Sequence, residues 1–403
     1  MQKVVIYTGP MCNYCSAAKH LLNKKKVNYT EYDIAVDPSK MQEMQKKTNG
    51  ARTIPQIFIG DTYVGGYQEL KALEAKDLGE SNPEIQIRHT YPPVWNWPVS
   101  DETKVIYIQP WEYPKVPFEW QYKFETFADA LIVPSNYVKQ IFLDGGVNPS
   151  NAFVVPNGFD PAIFNNDRSE VKPMLGIDPD RFNFVYVGNS QWRKGLDILI
   201  NIWHKCFKTY DKCTLIIKDN PNIYGKNNIL NEIVKMQYKT ESAEVIYIDQ
   251  NFSDVEMANL YKLSNAIVHP YRAEGFAMHV QEAMACGCLP VVSAGGPTND
   301  FVSDELGLKI PTSQQNVNIS DAGVFAMKPG DAMTRMSTHT FINEPSGQHL
   351  EQMLKYIYHH HNKQDLYKKL DKISMKNTWD HVVDMYEGVI NEVGKRKGTN
   401  RLR

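Results

Sequence analysis

Two pairs of residues carry chemistry by their type and spacing. Glu274 and Glu282 bracket seven residues in the run EGFAMHVQE, which continues as AMACGCLPVVSAGGPTNDF to position 301. The first glutamate falls in a turn with Gly275, and the second in the helix that the turn opens. The small-residue stretch Ala283–Gly287 leads to a buried strand at Leu289–Val292, and a Gly295-Gly296 turn follows. A strand–loop–helix–strand layout sets a phosphate or sugar against a helix N-terminus, where free N–H groups and the helix dipole attract anions. The second pair is Cys12 and Cys15, a CxxC at a helix start. There the first thiol meets unsatisfied N–H groups that favour thiolate, and the second can resolve a mixed disulfide. Half a zinc site is the other use of CxxC, but no second CxxC or Cys/His pair lies in the same stretch.

The elements that must position these pairs fall into two groups. Residues 3–8, 27–33, 54–59 and 62–64 read as strands, with helices after Cys12, near 38–48 and from Gln68, and a Gly60-Asp61 hairpin turn. The order β-α-β-α-β-β-α is a thioredoxin-type layout. A segment rich in Gly, Ser, Asn and Pro, DLGESNPE (77–84), breaks the helical pattern. Beyond it come four apolar runs, at 85–90, 104–108, 130–133 and 153–155. Two aromatic and proline clusters lie among them, YPPVWNWP (91–98) and QPWEYPKVPFEW (109–120). These clusters suit loop packing and sugar stacking equally. After the turn PNGFD (156–160), further strands at 182–188, 214–217, 245–248, 266–268 and 289–292 alternate with helices. One helix, at 192–203, carries Leu196, Leu199, Ile200 and Trp203 on one face. Such alternation predicts a doubly wound parallel sheet, and the stretch from about 346 reads as helical. The expected division is 1–78, a linker at 79–84, a short lobe at 85–165, a larger lobe at 166–375, and a C-terminal helix with a basic tail at 376–403.

Length and composition set bounds. A chain of 403 residues with 42% hydrophobic and 22% charged residues is ordinary for a globular protein of two or three domains. The net charge of −2 gives no basic footprint for nucleic acid, apart from the tail GKRKGTNRLR. Met1-Gln2-Lys3 runs directly into VVIYT, with no leader-like stretch, and no run approaches the ~20 apolar residues of a membrane helix. The six cysteines form no secreted framework, so a reducing cytoplasm is expected. Cys286 and Cys288 read as packing residues. His359-His360-His361 has no partner cluster, and no DxD pair sits in a strand-end loop, so no metal is expected.

The first eighty residues resemble glutaredoxin: Tyr7, Cys12, Tyr14 and Cys15 fit its Y-x-x-x-x-C-x-Y-C pattern, Thr53-Ile54-Pro55 its T-V-P segment, and Gly65-Gly66 its second glycine motif. The resemblance implies Cys12 as nucleophile, Cys15 as resolving thiol, a cis Pro55, and glutathione as cofactor along Tyr14, Thr53–Pro55 and Gly65–Gly66. Asn13 stands where Pro is common, and Gln68-Glu69 replaces an acidic pair. Residues 85 to 390 resemble the family-4 retaining glycosyltransferases of the GT-B fold, through VGNSQWRKG, LIIKDN, HPYRAEGF, EAMACG and GGPTNDF, and through PWEYPKVPFEW and the stretch VPSNYV to FDPAIF. That resemblance implies a nucleotide-diphosphate sugar as donor. It gives Glu282 the ribose hydroxyls, Glu274 a place near the transferred sugar, and Lys194 the phosphates. Arg193 substitutes for an Arg expected where Asn189 follows Gly188, and Gly275, Phe276 and Ala277 offer backbone N–H groups. Lys218 and Arg272 are further candidates for the diphosphate, beside the plainer reading that they only stand near the cleft, and Gly295, Gly296 and Asn299 are candidates to close over the phosphates. His89 is either on the acceptor side or an ordinary buried histidine. Ala277 and His279 depart from the family's Gly and Pro.

The first βαβ units of the family's N-terminal lobe have no counterpart, and the glutaredoxin-like module stands in their place. The expectation is therefore an α/β protein, a thioredoxin-like module followed by GT-B-type lobes, with the module packed against the short lobe's exposed sheet edge. Its function would be sugar transfer with retention to an unknown acceptor. The alternatives are a glutathione-dependent oxidoreductase whose large body only binds a nucleotide sugar or a partner, and a binding protein that has lost both activities.

Overall fold

In the computed structural model, residues 3–10, 12–24, 27–48, 50–70, 84–91, 93–98, 102–219, 235, 241–318, 339–360 and 376–396 are described. Most of the linker expected at 79–84, His361 and the end of the basic tail lie outside them.

The N-terminal module forms one four-stranded sheet, from β1 (Val4–Thr8), β2 (Tyr29–Asp33), β3 (Gln56–Ile59) and β4 (Thr62–Gly65), in the order β2-β1-β3-β4. Strands β1 and β2 run parallel, and β3 and β4 form an antiparallel hairpin. Helix Asn13–Lys24 packs Ala18 and Leu22 on Val4, Ile6 and Ile57. The Ile54-Pro55 bond is cis, as the glutaredoxin resemblance implies. This is the thioredoxin-like arrangement the element order foretold.

The short lobe is a four-stranded parallel sheet of β5 (Ile85–Arg88), β6 (Lys104–Ile108), β7 (Ala130–Val133) and β8 (Ala152–Val154). Continuous apolar runs suit strands covered on both faces, and both faces are covered. One carries the aromatic clusters: Trp111, Tyr113 and Trp120 are buried with Phe124 and Phe142. Packing rather than sugar stacking thus accounts for most of these rings, although Trp97 is 54% exposed. The other face is closed by the C-terminal helix Trp379–Lys395, whose Val382, Val389 and Val393 meet Ile106, Ile108 and Ile132. Lys104 reaches the end of that helix and donates to the Val393 and Gly394 carbonyls, both at 2.9 Å, and to the Arg396 carbonyl. A cation thus meets the carbonyls that a helix end leaves unpaired. The C-terminal helix closes a face of this sheet and not its edge; the module meets the short lobe just beyond edge strand β5, where the Tyr14 ring lies against His89.

The larger lobe is a six-stranded sheet of β9 (Phe182–Val187), β10 (Cys213–Lys218), β11 (Glu244–Ile248), β12 (Ala266–His269), β13 (Leu289–Ser293) and β14 (Leu308–Ile310). Its order is β11-β10-β9-β12-β13-β14, with every pairing parallel. The chain moves outward from β9 to one edge, then returns to β12 and moves to the other. That reversal opens a crevice at the carboxyl ends of β9 and β12, where doubly wound folds bind ligands. Phe159 and Phe164 pack into this lobe's core, whereas Val155 belongs to the short lobe. The changeover thus falls ahead of the expected boundary at 165. An antiparallel hairpin of β15 (Thr312–Asn318) and β16 (His339–Pro345), absent from the sequence reading, flanks β14. No described helix is long and apolar enough to cross a membrane.

Candidate active site

The crevice of the larger lobe and the CxxC end of the module open into one cavity of about 980 Å³. Gly188 and Asn189 follow β9, Lys218 ends β10, and the loop after β12 supplies Glu274, Gly275, Phe276 and Ala277; all of them line it, with Arg193, Lys194 and Glu282. Cys12, Tyr14, Thr53 and Ile54 form its wall on the module side.

Glu274 is the electrostatic centre. Its carboxylate pairs with Lys194 Nζ, lies 3.3 Å from His269 Nε2 and 3.9 Å from Arg193 Nη1, and accepts the Gly275 N–H at 3.0 Å. Burial pushes this carboxyl up, but Lys194, His269 and Arg193 together overcome it and hold the acid well below the usual carboxylate range. Burial lowers Lys194, against the pull of Glu274, and the two ionise as a pair. Arg193 also reaches Glu112 of the short lobe, at 3.2 Å. Glu282 is different. Burial, with Asp254 nearby, pushes it up to about 8, and Tyr261 donates a hydrogen bond of 3.2 Å to it. Burial brings Lys218 down to about 8.

The loop's shape is fixed by its neighbours. A Cβ on Gly275 would stand 2.9 Å from the Trp111 carbonyl oxygen, so only glycine lets the short lobe's backbone approach. Ser135, which caps its own helix by accepting from Val138, donates to the Gly275 carbonyl at 2.9 Å. Ala277 adopts φ +67, a region that favours glycine, immediately before helix Met278–Ala285. The departure from the family's Gly thus retains the glycine-type backbone.

Several expected residues stand elsewhere. Arg272 is not on the cavity wall. It is held by Asp197 (2.7 Å) and Glu344 (2.6 Å) and stacks over Trp192, so its donors are engaged in joining β16 to the turn before helix Leu196–Cys206. Gly295 and Gly296 are likewise outside the wall; a side chain on Gly296 would strike the Tyr271 hydroxyl at 2.3 Å, which explains that glycine by packing. On the module, Gly65 and Gly66 lie off the cavity, and the Gly66 N–H donates to Glu69 at 2.7 Å. His89 stacks under the Tyr14 ring, centroids 3.7 Å apart, and burial takes it down to about 3. It lies between module and short lobe and is not on the cavity wall.

The cysteines sit as the helix-start argument requires. Cys12 and Cys15 form a disulfide, Cys15 N–H points at Cys12 Sγ at 3.1 Å, and Cys15 is buried. Cys206, Cys213, Cys286 and Cys288 are free, with Cys286 and Cys288 in the core. Among the described residues, no group of three or more His, Cys, Asp or Glu is placed to hold a metal.

Sequence reasoning missed two histidines. His269 is fully buried against Glu274 and is taken down to about 4 by burial; His279 lies on the cavity wall, its ring 4.2 Å from that of His269, and burial holds it well below its usual range. Both are neutral near pH 7. The signal was the departure at His279 itself: a histidine where the pattern has proline, five residues after the central acid.

Comparison with known proteins follows the same division. Residues 4–64 match the family model described as Glutaredoxin, 78–163 that of Glycosyltransferase Family 4, and 167–321 that of Glycosyl transferases group 1. A glutaredoxin of Neisseria meningitidis is 47% identical over 76 residues, 18% of this chain and 87% of that protein. Glutaredoxin 3 of Escherichia coli is 43% identical over 76 residues, 19% and 90% of the two chains. Among solved structures, Anabaena HepE in complex with UDP-glucose superposes with a TM-score of 0.56 at 14% identity, covering 98% of this chain and all of that one. Sucrose-phosphate synthase of Thermosynechococcus elongatus gives 0.54 at 14% identity, over 80% and 77%. At such identities the likeness is one of fold, and the fold is that of GT-B glycosyltransferases. Through its N-terminal module the chain belongs to the glutaredoxin family, and the remainder carries two matched glycosyltransferase domains on a GT-B-like fold.

Proposed function

We propose that the protein transfers a sugar from a nucleotide-diphosphate donor, with retention of configuration, and that the module carries out glutathione-dependent thiol–disulfide exchange through Cys12 and Cys15. The observation that carries the first part is the buried Lys194–Glu274–Arg193 cluster at the carboxyl ends of β9 and β12, with Glu282 in the same cavity. Two cations held at a cavity wall are preorganised for a departing diphosphate, which needs charge stabilisation as the glycosidic C–O bond breaks. Glu282 accepts the ribose hydroxyls; Gly275, Phe276 and Ala277 present their backbone to the sugar or its phosphate. HepE, with its bound UDP-glucose, makes UDP-glucose the first donor to test. For the module, the N–H groups at the start of helix Asn13–Lys24 favour the Cys12 thiolate once the disulfide is reduced.

The test is a melting-temperature panel with UDP-, GDP- and ADP-sugars, since a ligand that binds only the folded state raises the transition. One nucleotide sugar should shift it, and the shift should vanish in Glu282→Ala. NMR of the transferred sugar's anomeric configuration reads retention directly. No shift with any donor would end the transferase reading, and an inverted product would end the retaining one.

A further inference from the structure

The donor residues account for only part of the cavity. The module contributes another part of its wall, including Cys12, Asn13, Arg52, Thr53 and Ile54. A volume of about 980 Å³ lies at the upper end of the ~300–1,000 Å³ usual for a small-molecule site, and donor-side and module residues bound it together. The module meets the short lobe where the Tyr14 ring lies against His89, and its Lys19 and Glu31 line the same cavity as Asp254 of the larger lobe. The chemistry that faces the donor side is that of a thiol-exchange site. Cys12 Sγ sits 3.5 Å from the Ile54 carbonyl and beside the Cys15 N–H. Arg52 is exposed on the same wall and is in no ion pair among the described residues.

We propose that the sugar acceptor is a low-molecular-weight thiol of the glutathione class, a short cysteinyl peptide with free carboxylates, seated on the module with its sulfur towards the donor and a carboxylate on Arg52. The proposal rests on the donor reading above. The step balances without an oxidant. The bond from the sugar's anomeric carbon to the β-phosphate oxygen breaks, and its electron pair leaves with the nucleotide diphosphate. A sulfur lone pair forms the new carbon–sulfur bond, and the thiol proton passes to the departing phosphate oxygen. The N–H groups around Cys12 that favour a thiolate there also favour it on a sulfur placed alongside.

The experiment uses the full chain with UDP-glucose, and reads UDP release and product mass. Glutathione should raise UDP release about tenfold or more over buffer, equivalent to about 1.4 kcal/mol, and yield a tripeptide bearing one hexose. S-methylglutathione, the same peptide with its sulfur blocked, should give no product. Dithiothreitol, which reduces the disulfide without offering a peptide, should not replace glutathione. In Arg52→Glu, the KM for glutathione should rise about tenfold while the KM for UDP-glucose stays put, the size expected for a lost carboxylate contact. Equal stimulation by dithiothreitol or S-methylglutathione, inhibition of UDP release by glutathione, or a product lacking the peptide each overturns the proposal. A melting shift with UDP-glucose alongside any of these failures leaves the donor reading standing; absence of that shift for every donor removes both.

Discussion

The larger lobe and the short lobe share one architecture and differ in how they are completed. The larger lobe has six parallel strands, helices supplied mostly by the chain between them, and a crevice formed where its own strand order reverses. The short lobe has four strands, and closes one face only with a helix from residues 379–395. At the side where it meets the cavity it adds Glu112 and Pro110, while the module supplies the thiol wall. A lobe complete in itself can hold a charge cluster rigidly, because Lys194, Arg193, His269 and the Gly275 N–H, which surround Glu274, all belong to that lobe. A lobe completed from distant segments depends instead on contacts made across the whole chain.

Four measurements would break or sharpen that contrast, and the largest effect belongs to the larger lobe. Glu274→Gln leaves Lys194 buried without its counter-charge and removes one of the two carboxylates beside Arg193, so it should lower kcat/KM about 100-fold or more, the scale of removing one preorganised electrostatic group. It should also cost about 3 kcal/mol of stability, read by urea unfolding alongside steady-state kinetics. If activity survives while stability falls, the cluster is structural and the crevice is not the reacting site.

Next is the short lobe. Lys104→Met removes the ammonium from the carbonyls at the end of the C-terminal helix and should cost about 2 kcal/mol. Hydrogen exchange should show faster exchange in β5 to β8 and in helix Trp379–Lys395, and no change in β9 to β13. Equal loosening of both lobes would show that they fold as one unit.

The third compares two titrating groups of the cavity. Glu282, raised to about 8, favours the folded state below its ordinary value of about 4.5, and this contribution is lost as pH rises through 8. Glu282→Gln should therefore melt higher than the parent at pH 9 and approach it at pH 5. If the ionised carboxyl accepts the ribose hydroxyls, nucleotide-sugar affinity strengthens from pH 7 to 9 in the parent and loses that rise in this variant. Lys218, lowered to about 8, loses charge over the same window and acts in the opposite sense, so Lys218→Met should steepen the rise. Calorimetric titration across pH separates the two.

The smallest effect is Ala277→Gly. It relieves a left-handed alanine, worth ~1 kcal/mol, against the greater freedom of glycine in the unfolded chain, and should stabilise by about 0.5 kcal/mol. A loss of stability would mean that the methyl group, 3% exposed, packs for more than its backbone costs.

Much of this was legible in the sequence. The strands of both parallel sheets appear as continuous apolar runs because both faces are covered, and Phe182–Val187 is buried at every position. Glu274, Glu282 and Lys194 were singled out through the resemblance, each in its own local strand–turn–helix, and the fold brings all three to one cavity. Arg272 was misplaced because its partner Glu344 lies 72 residues on, in a polar hairpin with no apolar signature. His269 was passed over since a histidine at the end of an apolar strand looks the same whether it packs or meets an acid. The C-terminal stretch read as helical, but nothing in its pattern says which sheet receives it; that depends on Lys104 and on Val382 and Val389, far apart along the chain.

The Lys104 contact spans 289 residues, and this sets an order of events during synthesis. β6, already outside the ribosome, must wait for residues 393–396 to be translated and to clear the exit tunnel before its lysine finds those carbonyls. At ~5–20 residues per second the delay is some tens of seconds. Through that interval Ile106, Ile108 and Ile132 have no permanent cover, while the thioredoxin-like module ahead of them is free to fold at once. The nascent chain therefore carries this sheet without its helical cover until residues 379–395 have followed it.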